Sequence, residues 1–104
     1  MFATVKRYEG IDVSKKDELT KKVGESLAPR LSKLPGFSGY FLIDTGNGVM
    51  STIGLFDTSI QANESTRVAS EWVRDEKLET ILKTPVNVTD GEVIVHKTNG
   101  ALRA

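Results

Sequence analysis

Cysteine is absent, which excludes disulfides, thiolate metal sites and cysteine nucleophiles. That is the cysteine usage of a reducing cytoplasm, the compartment expected here. Histidine occurs once, at His96, with no second histidine or compact carboxylate cluster beside it, so no metal centre is expected. Excess charge is missing too. The 14 basic and 14 acidic residues cancel, which removes the electrostatic footprint of a nucleic-acid binder. The doublets Lys15-Lys16 and Lys21-Lys22 sit among Asp17, Glu18 and Glu25, as on a solvated helix face. No apolar run approaches membrane-spanning length, and Met1-Phe2-Ala3-Thr4-Val5-Lys6-Arg7 lacks the basic-then-apolar order of a signal peptide. Neither membrane nor nucleic acid is therefore an expected partner. Without a secretory signal, the sequons at Asn63 and Asn87 read as chance matches. There is no phosphate loop, no Gly-x-Gly-x-x-Gly, no Gly-x-Ser-x-Gly and no His-Glu-x-x-His.

What is present is organised around Phe37 to Phe56. Two β-rich runs flank Asp44-Thr45-Gly46-Asn47-Gly48, a cluster of residues that tolerate the positive φ of a tight turn. In the first run Phe37, Gly39, Phe41 and Ile43 share a face opposite Ser38, Tyr40, Leu42 and Asp44. In the second, Val49, Ser51, Ile53 and Leu55 oppose Met50, Thr52, Gly54 and Phe56. Neither face is wholly polar, so the sheet must be covered on both sides. A chain of 104 residues forms one domain and supplies helices for one side only.

The rest of the chain provides those helices. Phe2 to Tyr8 alternates as a strand should. Ser14 is placed to cap a helix carrying Asp17 in its first turn, and Leu19, Val23, Leu27, Leu31 and Leu34 form one apolar stripe. Pro29 predicts a kink or break within it, and Pro35-Gly36 its end. Thr58 and Gln61 spell a capping box. The second helix then buries Ala62, Ser65, Ala69, Trp72 and Val73, with a break near Asp75, where Leu78, Ile81 and Leu82 fall out of phase. After Pro85, Asp90-Gly91 predicts a turn into a last strand, Glu92 to Thr98. Residues 1–100 make the domain and 101–104 a frayed tail. The order βαββαβ is the ferredoxin-like α+β arrangement, with both helices on one face of a four-stranded antiparallel sheet. The uncovered apolar face predicts a homodimer built sheet to sheet.

Several stretches resemble a known superfamily. Leu34-Pro35-Gly36-Phe37-Ser38-Gly39-Tyr40 is similar to the Pro-Gly-(x)2-Gly-Tyr entry to the second strand in dimeric α/β-barrel proteins, more narrowly the antibiotic biosynthesis monooxygenase-like (ABM-like) domains. Phe56-Asp57-Thr58-Ser59, Glu71-Trp72-Val73 and Gly91 to His96 resemble the same group. The resemblance implies two sheets closing a barrel across a dimer, with a cavity between sheet and helices or near the sheet interface. It implies activities such as cofactor-independent oxygenation of quinone precursors, haem degradation and lactone isomerisation. Trp72 and Asn63 resemble the haem degraders, but Leu82 stands in the region where those carry a histidine.

His96 is the natural acid–base candidate, because imidazole titrates near neutrality, and the alternation Glu92, Ile94, His96 places it beside Tyr40 as a second catalytic candidate. Tyr8, Lys6 and Thr52 fall on the same face as Tyr40. With Trp72 they are the substrate-binding candidates for a flat phenolic ligand. Ile43-Asp44-Thr45-Gly46 matches the aspartic-protease signature, but those enzymes are almost all β, whereas residues 14–34 and 58–83 have helical periodicity. The expectation is a cofactor-free, monooxygenase-like or related enzyme acting on a small aromatic or hydrophobic molecule. The alternative is a non-catalytic binding or interaction module.

Overall fold

The computed structural model describes residues 1–82 and 85–97. Four strands form one antiparallel sheet: β1 (Phe2–Tyr8), β2 (Phe37–Gly46), β3 (Val49–Phe56) and β4 (Asn87–Glu92), in the spatial order β2-β3-β1-β4. Helical segments follow β1 and β3, and the fold is the ferredoxin-like α+β arrangement expected from the element order. The tail at 101–104 lies outside the described residues.

Asp12 begins the first helical run. Its carboxylate accepts from the Ser14 amide at 2.9 Å and from the Ser14 hydroxyl at 2.7 Å. The cap is thus Asp12 rather than Ser14, because the run opens with a 3-10 turn at Val13–Lys15, two residues earlier than the apolar stripe suggests. Next come α1 (Lys16–Lys22), a π-helical turn (Val23–Leu27) and α2 (Ala28–Ser32). Pro29 follows an interruption of the α-helix, the break predicted around it, which takes the form of the π-turn. Its ring would crowd the Glu25 carbonyl of a regular α-helix, and the added residue of the π-turn relieves that crowding. The apolar stripe persists across the change, with Leu19, Val23, Leu27 and Leu31 all buried.

In β2 and β3 the turn is tighter than the five-residue cluster implies. Strand β2 continues to Gly46, leaving Asn47 and Gly48 at the corner with φ of 58° and 75°. Gly48 is required on a second count: a Cβ there would lie 2.5 Å from the Ile11 carbonyl oxygen. A register shift between Phe37 and Gly39 also corrects one facing assignment. Phe37 pairs with Phe56, their rings meeting edge to face at 5.7 Å, and it packs on the helix side, away from Phe41 and Ile43. The bulge at Ser38 adds one residue, which flips everything before it to the other face.

Helix α3 (Ser59–Asp75) starts with the expected capping box, both bonds at 3.2 Å. It ends where the periodicity breaks, with Lys77 at φ 57° turning the chain back so that Leu78 is buried. Ala62, Ser65, Val68 and Trp72 are its buried residues, while Ala69 and Val73 are half-buried.

The last strand departs from expectation. Asp90 and Gly91 lie within β4, which pairs with β1 from Asn87↔Arg7 to Glu92↔Phe2. An available edge outweighs the local turn signal. Val93 donates to the Met1 carbonyl at 2.8 Å, and there β1 runs out. Residues 94–97 accordingly have no strand assignment, and Thr98 lies outside the described residues.

Candidate functional site

One face of the sheet packs against the helices, and there Thr4, Lys6 and Tyr8 of β1 meet Tyr40 of β2 and Thr52 of β3. Period two puts these side chains on one side. The apolar stripe of α1, the π-turn and α2 closes over them from above. Two adjacent spaces result. The inner one, about 40 Å³, is walled by aliphatic side chains including Leu19, Leu27 and Leu42, together with Thr4, Tyr40, Thr52 and Gly54. It has room for a water molecule or a single small substituent, not for a ring. The outer one is a cleft of about 470 Å³ open to solvent, between β1, β4, α3 and the segment that follows it. Ala69, Val73, Leu82 and Val88 give the cleft its apolar wall, with Thr66, Ser70 and Glu79 nearer its rim. Lys6, Tyr8, Ala69, Val73 and Leu82 border both spaces and form the shared wall, or throat, where the two adjoin.

The polar groups here are few and poorly solvated. Lys6 is 7% exposed, and burial drives its amine below the ordinary lysine value, with the Asp90 carboxylate pulling weakly the other way. Burial pushes both the Tyr8 and the Tyr40 hydroxyls up. Thr4 Oγ1 is fully buried and has no hydrogen-bond partner among the described residues. No described residue forms an ion pair with Lys6.

The candidates from sequence divide accordingly. Lys6, Tyr8, Tyr40 and Thr52 are together around the two spaces. Trp72 is on the same helix but does not line them: it has no exposed surface and donates from Nε1 to Ser26 Oγ at 2.9 Å. Asn63 is exposed. His96 is also exposed, past the end of β4, and lines neither space, because the strand that was to carry it to Tyr40 ends at Glu92. The cleft walls at Glu79, Leu82 and Pro85 carry no motif. They become a wall only through the chain reversal at Lys77; the loss of phase after Val73 signals the break but not the direction the chain then takes. Asp44, in the aspartic-protease-like triplet, caps the hairpin: it accepts from the Gly46 amide at 2.8 Å and pairs with Lys16 at 3.1 Å. These contacts hold its carboxyl below the usual range.

No protein-family model and no curated protein matches the sequence. Solved structures do match along nearly its whole length. A dimeric ferredoxin-like protein from an uncultured marine organism is 15% identical with a TM-score of 0.72, covering 94% of this chain and 98% of that one. The haem degrader MhuD of Mycobacterium tuberculosis, with two haems bound in its active site, is 13% identical with a TM-score of 0.70, covering 94% and 100%. A monooxygenase of Streptomyces coelicolor from the gene ActVA-Orf6, in complex with nanaomycin D, is 13% identical with a TM-score of 0.70, covering 95% and 92%. The protein therefore shares the ferredoxin-like fold of these structures. At these identities the likeness speaks for the fold alone.

Proposed function

We propose that the protein binds a small, flat aromatic molecule in the cleft between its sheet and α3 and oxygenates it without a bound cofactor. The observation that carries this reading is the cleft itself. Its volume of about 470 Å³ falls in the range of small-molecule sites, and its apolar wall with a few convergent polar groups has their usual composition. Oxygenation of an electron-rich aromatic first needs its anion, formed by a base in a site shielded from water. The throat at Lys6 and Tyr8 is where a ring in the cleft meets buried polar groups. The complexes of two structural neighbours, one with haem and one with nanaomycin D, support a fold that receives flat polycyclic ligands.

A second reading, binding without turnover, has its own support. The one imidazole is solvent-exposed outside the cleft, and the tryptophan is shut into the core. A panel of phenols and anthrones, followed by thermal shift and oxygen uptake, separates the two. A ligand at about 100 times its Kd adds about 2.7 kcal/mol, which raises the Tm of a domain this size by roughly 10 °C or more. A shift with oxygen uptake supports the enzyme, and a shift without uptake supports the binding module. No shift from any compound refutes the aromatic-ligand reading.

The same proposal includes a homodimer. Phe41 and Ile43 are 52% and 39% exposed on the sheet face away from the helices, alongside half-buried Val5, Ile53 and Leu55. An apolar sheet face of this kind is an interaction surface, and the dimeric ferredoxin-like neighbour supports a second copy as its cover.

A further inference from the structure

Lys6 is 7% exposed, the most enclosed charged side chain among the described residues. A lysine is rarely this enclosed unless it is paired, and no described residue forms an ion pair with it. It projects from the middle of an interior strand on the helix side, so its way to solvent is through the cleft it borders. Two residues earlier on the same face, Thr4 Oγ1 is buried without a partner among the described residues. A buried hydroxyl without a partner and an enclosed amine without an ion pair among the described residues, on one face beside an open apolar cleft, are what a site looks like when the ligand supplies the missing partners.

We propose that Lys6 is the base of this site, taking the proton from the acidic hydroxyl of a hydroxyaromatic ligand and holding the resulting oxyanion as an ammonium–aryloxide pair. The inference rests on the aromatic-ligand reading above and assigns it a substrate class and a residue. In the step itself the ligand O–H bond breaks, its electron pair stays on oxygen, and the proton forms a new N–H bond on Nζ. No oxidant is consumed. The neutral amine needed at the start is favoured by the same desolvation that lowers the affinity of Lys6 for its proton.

The other titratable groups around Lys6 do not compete for this role. Burial pushes Tyr8 from β1 and Tyr40 from β2 towards their neutral hydroxyls, which leaves them weaker bases than a neutral amine and available as donors. Glu79, from the segment after α3, and Asp90, on β4, are both exposed. The first helical run contributes Leu19, Val23, Leu27 and Leu31, and α3 contributes Ala69 and Val73, none of them titratable. Thr4 lies deeper, on the inner space of about 40 Å³, and its hydroxyl is available to a single substituent oxygen of a ring lodged at the throat. A flat hydroxyaromatic bearing a second small oxygen substituent gives Lys6 a counter-charge and the orphan Thr4 hydroxyl a partner at once.

The test uses 2-naphthol, whose absorption distinguishes naphthol from naphtholate, and 2-methoxynaphthalene, the same bicycle without the acidic proton. With the full-length protein near neutral pH, 2-naphthol is expected to bind with the naphtholate spectrum, at least about tenfold more tightly than the ether, the scale of one charge-assisted hydrogen bond. Lys6→Met, near in shape and apolar, is expected to bind both compounds equally and to show no naphtholate band. Binding of both compounds by the wild type with equal affinity and no naphtholate band overturns the role of Lys6 while leaving the aromatic cleft standing. So does a naphtholate band that persists in folded Lys6→Met. Failure of both compounds to bind the wild type overturns the aromatic-ligand reading and this inference with it. The wild-type spectrum decides the matter even if the variant does not fold.

Discussion

Trp72 has no exposed surface and spends its one hydrogen-bond donor on Ser26, a residue of the π-turn that faces it across the core. Together with the Lys22–Glu76 pair at 3.3 Å, that contact ties α3 to the first helical run. Trp72→Ala is expected to cost roughly 3–5 kcal/mol, the range for deleting a large buried aromatic, as measured by chemical denaturation. A loss under about 1 kcal/mol would mean the ring packs against nothing. Ligand affinity should follow stability alone in this variant, since the indole does not border the cleft. Lys6 behaves in the opposite sense. Its pKa is lower folded than unfolded, so the unfolding chain takes up a proton at any pH between the two values. The penalty of burying the amine is therefore greatest at low pH and fades as pH rises towards 10.5, the unfolded value. Lys6→Met should raise Tm at neutral pH, and the gain should shrink by pH 10. A gain that grows with pH would contradict the burial of this amine. Tyr40 adds the alkaline limit. Its hydroxyl is raised above its unfolded value of 10.0, so the folded state holds its proton more firmly and stability falls as pH climbs past 10. Tyr40→Phe should blunt that fall.

At the scale of elements, the strongest local signals and the structure agree where the backbone itself is constrained. Gly48 sits at φ 75° against the Ile11 backbone. Gly48→Ala is expected to cost at least about 1 kcal/mol from the left-handed conformation alone, with the clash at Ile11 added, readable as a drop in Tm. No change would mean that the Ile11 segment moves freely away. The hairpin, the capping box at Thr58 and Gln61, the apolar stripe of the first helix and the alternation of β1 were all legible in the sequence for the same reason: each is decided by residues within a few positions of one another. What was not legible depends on distant partners. Asp90-Gly91 reads as a turn until β1 offers its edge. Phe37 reads as sharing a face with Phe41 until the bulge at Ser38 is counted. The candidate site shows the same division. Period two along β1, β2 and β3 brought Lys6, Tyr8, Tyr40 and Thr52 together. His96 was assigned to a strand whose length is set by where β1 begins.

At the scale of the whole molecule, the sheet has two unlike faces, and they separate assembly from ligand binding. Every residue that borders the inner space or the cleft lies on the helix side, whereas Phe41, Ile43, Val5, Ile53 and Leu55 form the uncovered side. If a second copy covers that side, sedimentation at micromolar concentration should give about twice the 11.4 kDa chain mass. Phe41→Asp should then shift the protein to monomer, because a carboxylate in the centre of such an interface is desolvated without a partner. In a native monomer the same change would fall on an exposed position and alter stability by about 0.5 kcal/mol or less. A wild type sedimenting as a stable monomer, with Phe41→Asp indistinguishable from it, would remove the dimer from the account. The cleft supplies a control that does not depend on that result. A monomeric Phe41→Asp that keeps its fold should bind 2-naphthol as the wild type does, since no side chain of the uncovered face reaches Lys6. Loss of binding on dissociation would instead mean that the second copy holds the throat in shape, and would place the functional unit in the dimer rather than in the single chain.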